Sequence, residues 1–211
     1  MTKTAKRQNP RLKNENTVVI GFSGSGKTSW IRQKTASINP ARIVAWDPDE
    51  DYKLPRARTM AGFKKFLQKA GYGPIRCALT VDPTPENFEE WARLVFCVAH
   101  CKAPMVVIAE EIADVTRIGK ASPNWGQLCR KGRKYGVRLF AVSQRPQECD
   151  KTVFTQSRFK WCGILGSEDD RKYMSKVIDV PLSELSELRE LEYFYRAGAE
   201  TAEKNVIQFT K

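Results

Sequence analysis

The residues best suited to chemistry lie near the start of the chain, where positions 21–28 read Gly-Phe-Ser-Gly-Ser-Gly-Lys-Thr. The glycines let the backbone curl so that its N–H groups converge on phosphate oxygens. Lys27 reaches the β- and γ-phosphates of a nucleotide, and the Thr28 hydroxyl is a ligand for Mg²⁺. The spacing therefore predicts a binding loop for ATP and Mg²⁺. Its residues are Gly21, Phe22, Ser23, Gly24, Ser25, Gly26, Lys27, Thr28 and Ser29.

Two adjacent acids, Glu110 and Glu111, follow the apolar run at 105–109. Such a run indicates a buried strand, whose end would carry both carboxylates towards the loop. Mg²⁺ keeps most of its water shell and takes few protein carboxylates, so Glu110 is predicted to hold the metal together with Thr28. Glu111 is predicted to orient and deprotonate the attacking water. Paired acids at this position favour hydrolysis over phosphoryl transfer to a small acceptor.

A glutamine, Gln144, follows a second apolar run at 137–143. If this run forms the strand beside the one that carries Glu110, the Gln144 amide lies within reach of the γ-phosphate. It would then report the loss of that phosphate. A purely structural role at the strand end is the alternative.

From Thr17 onward the chain alternates between apolar runs and segments of helical spacing, which would position these residues. The combination Thr84-Pro85-Glu86 marks a helix start, with a cap residue, a proline and an acid in the first turn. Alternation of this kind predicts an α/β fold with a mainly parallel central sheet and helices on both faces. Strands are predicted at 17–21, 42–47, 75–81, 105–110, 137–143, 159–165, 193–196 and 206–209, and helices at 27–37, 59–70, from 84, 125–135, 168–178 and 184–192.

The length and net charge of the chain indicate how many domains it forms and what kind of partner it binds. A chain of 211 residues suits one domain, and the net charge of +12 with a pI near 9.5 indicates a polyanionic partner beyond a single nucleotide. A soluble protein that is merely basic is the alternative. Residues 1–16 are basic and poor in apolar side chains, so we expect a disordered tail there, ahead of a P-loop ATPase domain at 17–211.

Several other classes of function are disfavoured. The six cysteines form no Cys-x-x-Cys pair and no secretory signal is present, which indicates a reducing, intracellular environment. No apolar run approaches the roughly 20 residues that span a bilayer, so any membrane association would require a partner. Cys97, His100 and Cys101 have the spacing of one helix face, but no fourth ligand is visible and buried packing is favoured over metal binding.

Two longer segments resemble the FtsK–HerA superfamily of DNA-pumping ATPases. Residues 106–115 look like the Walker B block of that family, and residues 132–146 look like its block of basic helix, strand and Gln-Arg-Pro. Glu110 stands where the cellular members usually have aspartate. The chain also lacks the membrane, linker or DNA-reading domains of cellular members. In this it is similar to the genome-packaging ATPases of membrane-containing viruses with double-jelly-roll capsids. The resemblance implies a RecA-like P-loop NTPase fold.

The resemblance also implies a motor that hydrolyses ATP, forms a homo-oligomeric ring and moves double-stranded DNA into a preformed capsid. Arg133 matches the family's arginine before the sensor strand, which implies a finger that reaches the neighbouring subunit's γ-phosphate. Arg130 and Arg138 are alternatives, as is a basic face that is solvated or binds DNA. Asp47 resembles an acid of the family to which no chemistry is assigned.

The same resemblance implies where such a motor would work. The expected partners are double-stranded DNA and viral portal-vertex or membrane proteins. The expected locations are the packaging vertex of the virion and the host cytoplasm. In a ring motor the loop that contains Arg117 and Lys120 would face the central channel and contact phosphates, with an ordinary surface loop as the alternative.

Three other functions remain to be separated from this one. A cellular or plasmid DNA pump for conjugation or segregation would need its membrane and DNA-reading domains on separate chains. A P-loop kinase for small molecules would act as a monomer without stimulation by DNA. A structural DNA-binding protein would use the nucleotide only as a switch.

Overall fold

The computed structural model describes residues 7–209, through which runs a central sheet with the strand order β3-β4-β2-β5-β6-β1-β7-β8-β9. The neighbours from β3 to β7 are parallel, and the pairs β7–β8 and β8–β9 are antiparallel. The mainly parallel sheet predicted from the sequence is therefore confirmed. In chain order the strands are β1 Thr17–Ile20, β2 Arg42–Trp46, β3 Arg56–Ala57, β4 Ile75–Leu79, β5 Met105–Ala109, β6 Val137–Ser143, β7 Phe159–Cys162, β8 Glu192–Ala197 and β9 Glu203–Val206.

Several of the helices begin at residues whose side chains cap them. Thr59, Thr84 and Ser167 each accept a hydrogen bond from a backbone N–H of the first turn that follows. The predicted basic helix at 125–135 is a helix followed by a 3₁₀ turn, Gly132–Tyr135, that leads into β6. The helices are α1 Lys27–Ile38, α2 Met60–Ala70, α3 Pro85–Val98, α4 Ile112–Val115, α5 Pro123–Lys131, α6 Lys151–Gln156, α7 Glu168–Ile178 and α8 Leu182–Ser186.

The core has two layers because successive side chains of a strand point to opposite faces of the sheet. In β1, Val18 belongs to a large cluster that includes Trp91 of α3 and Trp125 of α5. Val19 belongs to a smaller cluster on the other face, with Trp30 and Ile31 of α1. Helices thus cover both faces, as predicted, with α1 on the face opposite α3 and α5.

The last part of the chain differs from the sequence prediction in its element bounds. The helix predicted at 184–192 ends at Ser186, and Leu191 has a positive φ of 66° that helices do not contain. The edge strand predicted at 206–209 is β9, which pairs with β8 in the register Glu192↔Val206. Cross-strand pairing, which local pattern does not encode, decided these bounds.

Residues 7–16 also differ from the prediction, because they pack on the domain. The Arg7 guanidinium donates to the carbonyl oxygens of Phe96, Cys97 and Ala99 at the end of α3. Asn16 is buried and bridges α5 to β6 through its amide. The predicted disorder does not hold for these ten positions, since hydrogen bonds from Arg7, Asn14 and Asn16 attach the segment to backbone carbonyls of the domain. Residues 1–6 lie outside the described part of the chain.

Among residues 7–209, no helix combines the length and the apolar character needed to cross a bilayer.

Candidate active site

The candidate catalytic residues meet at one edge of the sheet because three adjacent parallel strands end there. β1 leads into the loop at 21–28, β5 ends before Glu110, and β6 ends before Gln144. β6 lies between the other two strands, with Ile20 opposite Ser143 and Ala109 opposite Ala141. The carboxyl ends of parallel strands are the usual place for ligands in such sheets.

The loop has the conformation that its glycines predict. Gly24 and Gly26 have φ values of +80° and +92°, in the left-handed region. At Gly26 a Cβ atom would also lie 2.3 Å from Cδ1 of Ile207, so side chains are excluded on two grounds. α1 begins at the next residue, and its N-terminal amides and dipole favour an anion there.

Inside the loop, Lys27 and Ser25 present donors suited to phosphate. Lys27 Nζ donates to the carbonyl oxygens of Gly21 at 2.8 Å and Phe22 at 3.1 Å. Burial lowers the pKa of Lys27, and the charges of Glu110 and other nearby acids oppose that shift. Ser25 is 2% exposed, and its Oγ has no hydrogen-bond partner among the described residues. A buried cation and an unsatisfied hydroxyl inside a curled backbone fit a bound phosphate.

Glu110 is almost fully buried beside this loop. It is 5% exposed, and Oε1 accepts a hydrogen bond from the hydroxyl of Tyr52. Burial raises the pKa of Glu110 to about 8, although the Tyr52 hydrogen bond acts in the opposite direction. A buried carboxyl close enough to Lys27 to feel its charge fits a site for Mg²⁺, since a cation would favour its ionised form.

Glu111 turns away from the strand and towards β6. Its φ of 41° is left-handed, and Oε1 accepts hydrogen bonds from Ser143 Oγ and from the Gln144 backbone N–H, each at 3.0 Å. The structure thus places Glu111 and Gln144 together, through the Gln144 backbone. The Gln144 side chain makes no hydrogen bond within residues 7–209.

The sequence analysis missed two residues of this site, Ser143 and Tyr52. Ser143 is fully buried, and a polar residue at the end of an apolar strand beside Gln144 is the signal that points to it. Tyr52 belongs to the loop after β2 and contacts Glu110 across 58 positions of sequence. No spacing rule connects those two residues.

The three candidate finger arginines lie at the opposite end of β6. Arg133 Nη1 donates to the carbonyl oxygens of Pro10 at 3.0 Å and Leu12 at 2.6 Å, whereas Arg138 forms an ion pair with Glu15. Arg130 is exposed. Because β6 has seven residues, about 20 Å separates its two ends, and these arginines cannot reach the loop of their own chain.

The Cys97, His100 and Cys101 cluster does not form one helix face. α3 ends at Val98, and His100 is buried against the ring of Tyr72. Within the described residues, no group of three or more His, Cys, Asp or Glu is arranged to hold a metal ion. A nucleotide-bound Mg²⁺ does not require such a group, because phosphate and water oxygens complete its shell.

A search against protein-family models finds no match. The chain is, however, 48% identical over 212 residues to protein P9 of Pseudoalteromonas phage PM2, and the match covers 98% of this chain and 97% of P9. The chain belongs to the protein P9 family.

Two further similarities are to a HerA helicase over part of the sequence and to a genome packaging NTPase in fold. Over 84 residues the chain is 33% identical to the DNA double-strand break repair helicase HerA of Sulfurisphaera tokodaii, but this covers 37% of the chain and 16% of HerA. The fold matches the genome packaging NTPase B204 of Sulfolobus turreted icosahedral virus 2, solved with AMPPCP. The TM-score is 0.76 at 15% identity, over 93% of this chain and 99% of B204. The resemblance to this superfamily is therefore confirmed, and the B204 match carries the fold alone.

Proposed function

We propose that this protein hydrolyses ATP to move double-stranded DNA and that it packages a viral genome into a preformed capsid. The observation that carries the proposal is the hydrogen bonding of Glu111 to Ser143 and Gln144 beside the phosphate loop. These hydrogen bonds connect Glu111, the proposed base that deprotonates water, to the end of β6, where Gln144 would sense the γ-phosphate. Membership of the P9 family supports a viral role, and the likeness to a packaging NTPase and to HerA supports action on DNA.

Each residue of the site has a distinct task in this proposal. Lys27 and the loop amides bind and orient the phosphates. Glu110 and the Thr28 hydroxyl would hold Mg²⁺, which when bound neutralises charge on the β- and γ-phosphate oxygens. Glu111 accepts the proton of the attacking water, and its bonds to β6 fix the direction in which its carboxylate faces.

A small-molecule kinase, the candidate from another class, would need a pocket for its acceptor beside the phosphate loop. A cavity of about 790 Å³ does exist, but it lies at the opposite edge of the sheet. Its lining includes Arg42, Arg133 and Arg138 and none of the residues at 21–28. The partial match to HerA favours a cellular DNA pump as the second candidate.

The motor would be a homo-oligomeric ring in which Arg133 reaches the nucleotide of the next subunit. That role needs a neighbour, since Arg133 lies at the far end of β6 from its own loop. Portal-vertex or membrane proteins of the virus would anchor the ring at the packaging vertex, with a further pool in the host cytoplasm.

The test is steady-state ATP hydrolysis as a function of protein concentration, with and without double-stranded DNA. A rate per subunit that climbs with concentration and with DNA is expected, because sites completed between subunits need assembly. A rate that is flat in both but rises with a small phosphate acceptor would replace the motor with a kinase.

A further inference from the structure

One side chain of the β2–β3 loop, Tyr52, reaches the candidate magnesium site. Tyr52 is 5% exposed and lies in the core cluster that contains Trp30 and Ile31 of α1. Its hydroxyl donates to Oε1 of Glu110. The second oxygen, Oε2, accepts no hydrogen bond within residues 7–209. The Tyr52 hydroxyl therefore occupies one carboxylate oxygen and leaves the other to act as a ligand.

The β2–β3 loop surrounds a second acid, Asp47, which comes directly after β2 and is fully buried. Asp47 Oδ1 accepts from the Asp51 backbone N–H at 2.8 Å, and Oδ2 accepts from the Tyr52 backbone N–H at 3.2 Å. Arg56 Nη2 lies 2.9 Å from Oδ2 and also donates to the Tyr52 carbonyl at 2.7 Å. Both backbone groups of Tyr52 are thus held by one ion pair.

The loop is also fixed to the helix that follows the phosphate loop. Arg32 of α1 donates to the Asp51 carbonyl oxygen. The loop is therefore attached on one side to β2 through Asp47 and on the other to α1. Tyr52 lies between these two attachments, so β2 and α1 together fix its position.

We propose that Tyr52 is a positioning residue that fixes the Glu110 carboxylate for Mg²⁺, and that Asp47 and Arg56 hold Tyr52 for that purpose. This inference rests on the proposed function, since it assumes that Glu110 serves the metal. The physical reason is that a glutamate has one more rotatable bond than an aspartate at the same position. Its longer arm needs an outside contact to select one rotamer, and the hydroxyl provides it.

Tyr52→Phe tests the proposal, because the ring keeps filling the core while the hydroxyl is lost. The measurement is a Mg²⁺ titration of the binding of a fluorescent, non-hydrolysable ATP analogue. The half-saturating Mg²⁺ concentration is expected to rise at least about tenfold, the usual effect of losing a contact to a metal ligand. Binding of the analogue without Mg²⁺ should stay unchanged. The thermal unfolding temperature should fall only modestly, because the buried Glu110 carboxyl loses one hydrogen bond.

Tyr173→Phe is the matched control, since it removes a hydroxyl from α7, where the ring packs on Phe154. It should leave the Mg²⁺ titration unchanged. An unchanged titration for Tyr52→Phe, or an equal loss of binding with and without Mg²⁺, would show that Tyr52 only fills the core and would overturn the inference. If the unmodified protein bound the analogue without any dependence on Mg²⁺, the metal site of the proposed function would fail as well.

Discussion

Glu111, the residue proposed as the base, has a left-handed backbone conformation that turns it out of β5 and towards β6. A non-glycine residue in the left-handed region is uncommon and is maintained only where its surroundings hold it. Here the hydrogen bonds from Ser143 and Gln144 hold the carboxylate against the neighbouring strand. The same bonds offer a path by which a change at the γ-phosphate would reach β6.

Glu111→Gln should separate binding from hydrolysis. The amide keeps the shape of the side chain but cannot accept a proton, so turnover should fall at least about 100-fold. ATP affinity should change little, because Lys27 and the loop bind the phosphates. Steady-state hydrolysis and nucleotide titration measure the two effects.

Glu148→Gln is the control for that substitution, since Glu148 is an exposed acid that forms an ion pair with Arg145. It should hydrolyse ATP at the normal rate. Normal turnover in Glu111→Gln would exclude Glu111 as the base. A switch protein without catalysis would show an unchanged DNA-linked function in the same variant.

At the scale of the elements, residues 7–16 act as a strap that joins α3 to the region around β6. The last carbonyls of a helix lack intrahelical partners, and the Arg7 guanidinium satisfies three carbonyls at the end of α3. Arg133 in turn binds carbonyls of the strap, so a candidate finger is held by the segment that the sequence predicted as disordered.

Arg7→Ala should therefore lower the free energy of unfolding by about 1.5–3 kcal/mol, the range for hydrogen bonds to a charged group. Thermal or urea unfolding measures this loss. Arg11→Ala removes an exposed arginine from the same strap and should have no measurable effect. Equal stability of the two variants would show that the strap contributes nothing through Arg7.

The loop after α4 carries the two cations that the sequence predicts to contact DNA phosphates. Arg117 and Lys120 are exposed, and Ile118 between them is 68% exposed. The loop is tied to α6, where the Lys151 backbone N–H donates to the Gly119 carbonyl at 2.8 Å. The backbone hydrogen bond to α6 therefore holds the segment that exposes Arg117 and Lys120.

Replacing both Arg117 and Lys120 with alanine should weaken DNA binding without regard to sequence. Because each lost phosphate contact removes about 0.9 from the slope of log K against log salt, the slope should become shallower by about 2. Binding measured over a salt series tests this. Lys64 and Lys65 on α2 supply the matched control, and an equal effect of their double substitution would assign the change to net charge.

At the scale of the whole molecule, the candidate catalytic acids and the candidate finger arginines lie at opposite edges of the sheet. Glu110, Glu111 and Asp51 lie at the edge that holds the phosphate loop. Arg42, Arg133, Arg138 and Lys102 line the cavity at the opposite edge. A site completed by a finger from a second copy would therefore need head-to-tail contact between copies, and such contacts close into rings when the rotation permits.

Mixing two inactive variants tests this assembly. Arg133→Ala subunits keep the base, and Glu111→Gln subunits keep the finger, so sites between unlike neighbours can be complete. Each variant alone should be nearly inactive, whereas an equal mixture should recover about a quarter of normal turnover if subunits exchange at random in a ring.

Repeating the mixture with Arg130→Ala or Arg138→Ala identifies the finger. Recovery with Arg130→Ala, together with normal activity of Arg133→Ala alone, would move the role to Arg130. Absence of recovery with all three arginines would contradict a finger supplied by the neighbour from this end of β6.

The sequence by itself determined the phosphate loop, the acids after β5 and the mainly parallel sheet. Each is encoded locally: glycine spacing sets the curl of residues 21–28, and apolar runs bounded by polar residues set the buried strands. The sequence does not predict the order of those strands. The carboxyl ends of parallel strands lie at one edge of the sheet, however, and this was sufficient to predict that Glu110, Glu111 and Gln144 lie near one another.

Only the tertiary structure decided the partners of these residues. Tyr52 meets Glu110, Ser143 meets Glu111, and Arg7 meets the end of α3 through contacts between segments far apart in sequence. The same holds for Arg133, which the sequence associates with the site and the fold places at the other end of β6. Such contacts depend on strand order and on how loops pack, and no local period or spacing carries that information.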